Sequence, residues 1–198
     1  MFEKGSIAPA DQLKSGSELV HPLDDFYARA GCNLPPLGVI EGDTMPEPYK
    51  RLLVHQNDMT PTLEDFHRSR IHLRVLGSRQ SESQYFREVV LMLDRNNQPV
   101  EFGASKINLA LFSAEAQAQI LSEKMPLGHI LQEYQIPHSS RPRAFFRLAS
   151  DRLINEVLGL SGAQVLYGRR NTLFDPQQRP LAEIVEILPI ASKRDSGN

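Results

Sequence analysis

The chain has 198 residues, 40% of them hydrophobic, enough to enclose one substantial core as a single domain. A net charge of -2 with no long basic block excludes a surface built around nucleic-acid phosphates. The single cysteine, Cys32, excludes an internal disulfide and a cysteine-built zinc site, and reads as a small, partly buried hydrophobe. No apolar run reaches membrane-spanning length and Met1 to Ser6 carries no export core, so the cytoplasm is the expected compartment, without a membrane partner.

Residues 1–45 mix Pro, Gly, Ser and charge and read as a partly helical N-terminal extension, with one amphipathic stretch from Leu23 to Ala30 closed by Gly31. Asn33 to Gly38 reads as extended loop, and Tyr49 to His55 as a second helix. Thr60-Pro61 predicts a helix start, a capping hydroxyl followed by Pro at the first helical position, with Leu63 and Phe66 facing inward. From residue 70 the period becomes two: Ile71, Leu73 and Val75 alternate with His72 and Arg74, the mark of a half-buried strand. Ser83 to Asp94 is apolar on both faces along Val89 to Leu93, as a covered strand would be. Asp94 to Gln98 is a hairpin turn, and the returning strand runs from Pro99 to Leu111. Gly103 within it marks a bulge or a close backbone approach.

Ser113 caps a helix whose inner face uses Ala116, Ile120 and Leu121, and Met125 to Gly128 breaks the chain before a helix from His129 to Tyr134. Arg143 to Leu148 alternates weakly, and Ser150 to Leu158 predicts a helix with Leu153, Ile154 and Leu158 inward. Gln164 to Phe174 and Leu181 to Leu188 flank a turn at Asp175 to Pro180, and residues 192–198 read as a disordered tail. Hairpins rather than strand–helix–strand crossovers define an α+β domain over residues 46–191, an antiparallel sheet of about six strands with flanking helices.

Within this pattern the arginines stand out. Arg87 interrupts the covered strand Tyr85 to Leu93, and Arg169 and Arg170 interrupt Val165 to Phe174. A buried guanidinium requires an anion, either a carboxylate of the protein or that of a ligand. The strand Leu181 to Leu188 supplies Glu183 and Glu186, three apart and therefore on opposite faces. One of the two leans toward the core side, where desolvation favours a neutral carboxyl able to act as a general acid. A simple ion pair from Glu186 to Arg87 or Arg170 is the plainer alternative. No phosphate loop or dinucleotide fingerprint occurs, the histidines are scattered, and His67 and His72 straddle a helix–strand boundary, so no cofactor or metal site is predicted.

Four stretches in order resemble the chorismate–pyruvate lyase family, enzymes that make 4-hydroxybenzoate for ubiquinone and related quinones or phenolic lipids. They are Asp58-Met59-Thr60, Arg87-Glu88-Val89-Val90-Leu91, Pro126-Leu127-Gly128, and Gly168-Arg169-Arg170 followed by Pro180 and Glu186-Ile187-Leu188-Pro189. The resemblance spans roughly residues 52–190. It implies helical flaps closing over an internal ligand cavity, no cofactor, and a monomer. It also implies roles: Arg87 for the carboxylate of the aromatic product, with amides of Met59, Leu127 and Gly128 closing on it. Glu186, with Glu183 as the fallback, would contact the oxygen at the far end of the ring as catalytic acid, and Arg169 or Arg170 would reach the enolpyruvyl carboxylate. The implied reaction is loss of pyruvate from chorismate; keeping both the arginine and the glutamate favours an enzyme. The competing reading is a non-catalytic phenolic-acid binding or sensing protein, since effector-sensing domains of bacterial repressors share the fold. A third is a partner-binding protein whose arginines are all paired internally. Residues 103–108 are more polar than the apolar run the family carries there, and residues 150–163 are a longer helical insertion.

Overall fold

A computed structural model of the chain describes residues 19–189, so the tail expected at 192–198 lies outside the described residues. Period-two patterning from residue 71 onward produces long hairpins: β2 (Ile71–Ser81), β3 (Gln84–Leu93), β4 (Pro99–Asn108), β5 (Ser139–Ala149), β6 (Val165–Phe174) and β7 (Pro180–Leu188). A seventh strand, β1 (Leu37–Ile40), pairs antiparallel with β5 in register Leu37↔Leu148 to Ile40↔Phe145. The order is β1-β5-β6-β7-β4-β3-β2, all antiparallel. The fold is therefore α+β with an antiparallel sheet, of seven strands instead of about six. The stretch read as loop escaped notice because four residues carrying two prolines upstream show no alternation; β5 recruits it by pairing at the sheet edge.

One face of the sheet is packed solid. Val90, Phe102, Phe146, Val185 and Ile187 meet Leu23 and Tyr27 of α1 (Leu23–Arg29) and Ile154 and Leu158 of α6 (Arg152–Leu158). Leu19 and Val20 join this cluster, so part of the stretch read as an extension belongs to the core. Asp151 caps α6 by accepting from the Ile154 amide at 2.8 Å, and Gly31, at φ 67°, follows α1 in the left-handed conformation glycine adopts freely.

The other face is roofed rather than filled. α2 (Tyr49–Leu53) and α3 (Met59–His67) cover one half with Leu52, Leu53 and Leu63 turned inward. α4 (Ala114–Ser122) and α5 (Leu127–Glu133) cover the other with Ala116, Ile120, Ile130 and Leu131. Three expectations are corrected here. α3 begins at Met59 with Asp58 in the cap position, because Asp58, not Thr60, has the extended backbone of a cap. Leu121 is exposed, one residue round the helix from buried Ile120, and Cys32 is exposed. Among the described residues no helix is long and apolar enough to cross a membrane.

Candidate functional site

The roof and the sheet enclose a cavity of about 580 Å³, open mouth included. The sheet register dictates its floor. On one face Arg87 lies beside Ser105 of β4, which lies beside Ile184 of β7 and then Asn171 of β6. One step along, Val89 lies beside Gly103, then Glu186, then Arg169. Two strand spacings and two residues separate Arg87 from Glu186, about 12 Å between their Cα positions. Leu73, Val89, Leu91, Leu131, Leu173 and Ile184 make the walls between these polar ends apolar. Gly103 widens the floor: a side-chain carbon there would lie 2.7 Å from the Val185 carbonyl and 3.1 Å from Glu101 Oε1.

Two helix starts form the roof. Met59 and Thr60 open α3, Leu127 and Gly128 open α5, and all four line the cavity. Amides in a helix's first turn have no acceptor within the helix and carry the positive end of its dipole. The two starts touch, since a side-chain carbon on Gly128 would fall 2.9 Å from Thr60 Oγ1. Deeper in, His129 Nε2 of α5 meets Glu64 Oε1 of α3 at 3.1 Å, and the same oxygen accepts from the Ile71 amide at 3.0 Å.

Asp58 Oδ1 and Oδ2 lie 3.0 and 3.1 Å from His138 Nε2, while His138 Nδ1 lies 2.8 Å from the Ile136 carbonyl. Both ring nitrogens face acceptors, which is the arrangement of an imidazolium. The hydrogen bond to Asp58 is the main cause pushing its pKa up. Asp58, holding His138, makes no side-chain bond to cap its own helix.

The three arginines have three different environments. Arg87 is 2% exposed, yet its Nε and Nη1 have no hydrogen-bond partner among the described residues. Burial draws its pKa down to about 10, with Tyr85 and Glu123 opposing that fall. Arg169 is fully buried and saturated. Its Nε donates to Glu186 Oε2, Nη1 to the carbonyls of Leu53 (3.2 Å) and His55 (3.1 Å), and Nη2 to that of Asn57 (3.4 Å). It thereby fastens the segment between α2 and α3 to the sheet. His55 completes that joint: its Nε2 donates to the Leu52 carbonyl and its Nδ1 accepts from the Asn57 amide, a neutral ring. Burial, with Arg169 beside it, lowers the His55 pKa accordingly. Arg170 turns away and donates to Glu183 at 2.9 Å, and Lys106 meets the same carboxylate at 3.2 Å.

Arg87, Met59, Leu127, Gly128 and Glu186 thus lie around one cavity, whereas Arg169, Arg170 and Glu183 do not line it. The ion pair that Glu186 forms is with Arg169, not with Arg87 or Arg170. The opposite-face reading of Glu183 and Glu186 holds, with Glu186 at 3% exposure on the cavity side. Sequence reasoning missed Glu101. It is buried, lines the cavity, leaves Oε2 without a partner among the described residues, and has its pKa raised well above 4.5 by burial first and Glu186 second. The same signal that exposed Arg87 was available: an acid between Val100 and Phe102 on a strand whose neighbours are buried. Among the described residues, the one group of metal-ligating type is His21 with Asp24 and Asp25, remote in the chain from the cavity lining.

No protein-family model matches the chain, and no curated protein matches it. Solved structures do. A gene product of Staphylococcus aureus, SA0254, superposes with a TM-score of 0.51 at 10% identity, covering 69% of this chain and 90% of that one. PhnF from Mycobacterium smegmatis gives 0.51 at 9% identity over 69% of this chain and 65% of its own. The C-terminal domain of the histidine utilization repressor from Pseudomonas syringae gives 0.44 at 14%, over 65% and 98%. What the first two likenesses establish is the fold alone, an α+β antiparallel-sheet architecture of the chorismate lyase-like type.

Proposed function

We propose that the chain binds a small aromatic monocarboxylic acid of the hydroxybenzoate type in this cavity, as a binding or sensing protein. The observation that carries the reading is Arg87, a guanidinium at 2% exposure with two nitrogens unpartnered among the described residues, opening on a cavity. A charge desolvated to this degree is costly unless an anion meets it, and Arg offers a carboxylate two parallel donors. The first-turn amides of α3 and α5 add donors from above, with Met59 and Leu127 at the contact. The apolar walls suit a flat hydrocarbon body.

A second reading, the lyase acting on chorismate, is favoured by Arg87 and Glu186 opening on the same cavity. Chorismate carries two carboxylates, however. Arg87 is the one cationic side chain among the described cavity-lining residues, and Arg169 is already saturated by Glu186 and three carbonyls. An anion at the far end would meet Glu101 and Glu186 instead. That weighs the reading toward binding.

The test is calorimetric titration of 4-hydroxybenzoate into the wild type and Arg87→Ala, beside incubation with chorismate and measurement of pyruvate. Micromolar binding that weakens at least tenfold in the variant is the expected result. Equal binding by both proteins overturns the reading, and stoichiometric pyruvate release would replace it with the lyase.

A further inference from the structure

Beyond the carboxylate end, the far end of the cavity has its own chemistry. Glu101 and Glu186 both line it, and their strands place them on one face with Gly103 between them, beside Glu186 in the register. Arg169 is the register neighbour of Glu186 and serves it, donating to both of its carboxylate oxygens. Glu101 receives no such donor: it is 4% exposed and its Oε2 has no hydrogen-bond partner among the described residues. Two carboxyl groups beside one committed guanidinium cannot both carry charge cheaply in a dry site, and the one without the donor holds the proton. A neutral carboxyl has an O–H to give, as a carboxylate does not.

We propose that Glu101 is a specificity-determining residue of this cavity, a neutral carboxylic acid that donates a hydrogen bond to an uncharged oxygen on the ligand. The proposal rests on the acid-binding reading above and narrows it. The ligand class is an aromatic acid whose ring carries, opposite its carboxylate, an ether, hydroxyl or carbonyl oxygen. A second carboxylate at that end is rejected, because it would set a second negative charge against Glu186 where Arg169, the cation beside it, is already committed. Leaving the Glu101 donor unanswered penalises a ligand that presents only carbon there.

Two matched probes separate the cases. 4-Methoxybenzoate and 4-ethylbenzoate have nearly the same shape, but the first offers an acceptor oxygen where the second has a methylene. Calorimetric titration of the full chain is expected to show the methoxy acid binding about fivefold tighter than the ethyl acid, the worth of one hydrogen bond. Glu101→Gln, which keeps an N–H donor, should retain the preference; Glu101→Leu should lose it while still binding both acids through Arg87. Equal affinity of the two acids for the wild type overturns the proposal and leaves the acid-binding reading standing. An undiminished preference in Glu101→Leu does the same. Failure of wild type to bind either acid or benzoate itself overturns the acid-binding reading, and this proposal with it. Terephthalate adds an independent check: it should bind the wild type at least tenfold more weakly than 4-methoxybenzoate, and parity would again overturn the proposal.

Discussion

At the residue scale, burial alone does not say what a charged side chain is for; its partners do. Arg87 and Arg169 are equally hidden, at 2% and 0% exposure, yet one has unmet donors and the other has none to spare. The two should therefore respond oppositely to replacement by Met. Arg87→Met removes an uncompensated desolvated charge and should raise stability by about 1–3 kcal/mol while abolishing acid binding. Arg169→Met strands the Glu186 carboxylate and should cost about 3–5 kcal/mol. Denaturant melts of both variants check this, and destabilisation by the Arg87 change would mean that its role is structural. Glu101 yields a pH prediction. Its folded pKa lies above the ordinary 4.5, so the folded state binds the extra proton. The stability linked to it is present in full below pH 4.5 and is lost as pH rises through the raised folded value. Glu101→Gln should match the wild type near about pH 4 and exceed it at neutral pH, with melts at both pH values as the measurement.

At the element scale, the roof is a pair of short helices whose open ends meet, and its fastening is polar. His138, on the approach to β5, holds Asp58 at the start of α3 through a doubly donating ring. Its folded pKa is raised above 6.5, so the latch is complete below 6.5 and is released as pH rises through the folded value. Hydrogen exchange of the Thr62 amide, which donates to the Asp58 carbonyl, should, once corrected for the intrinsic rate, accelerate between about pH 6 and 9 in the wild type and stay flat in His138→Ala. A wild-type protection factor unchanged across that range would rule the latch out. Legibility at this scale was uneven. Ser113 and Asp151 cap their helices as short polar residues ahead of apolar spacing do, accepting from Ala116 and Ile154. Thr60-Pro61 misled because Asp58 occupies the cap position while its side chain serves a histidine 80 residues away.

At the scale of the whole molecule, one side of the sheet provides stability and the other provides room. Leu19, Val20, Leu23 and Tyr27 are each at most 3% exposed against the packed side, and β1 completes the sheet edge. A chain beginning at residue 46 would expose apolar groups worth about 1.5–3 kcal/mol each, a sum comparable to the entire stability of a domain. Such a truncation should lose its cooperative melt and bind a hydrophobic dye; a sharp melt near the full-length temperature would show that residues 19–45 are dispensable. The solid side also explains why the hollow side can exist. Phe102, Phe146, Val185 and Ile187, on one face, hold the strands whose opposite face carries Glu101, Gly103 and Glu186.

By itself the sequence determined the hairpins, the buried stretches and the anomaly of a guanidinium inside an apolar strand, because alternation and the cost of a buried charge are local properties. It also determined that Glu183 and Glu186 face opposite ways, since a strand's period is two. Only the tertiary structure decided which arginine meets which glutamate. Strand register puts Arg169, not Arg87 or Arg170, beside Glu186, and register arises from how β6 and β7 pair across a five-residue turn. It alone decided that Leu37–Ile40 is a strand, which β5 confers on it, and that Glu101 shares the cavity with Glu186. The physical reason is the same throughout: a residue's period and polarity are written along the chain, whereas its partner is chosen by segments that packing brings together.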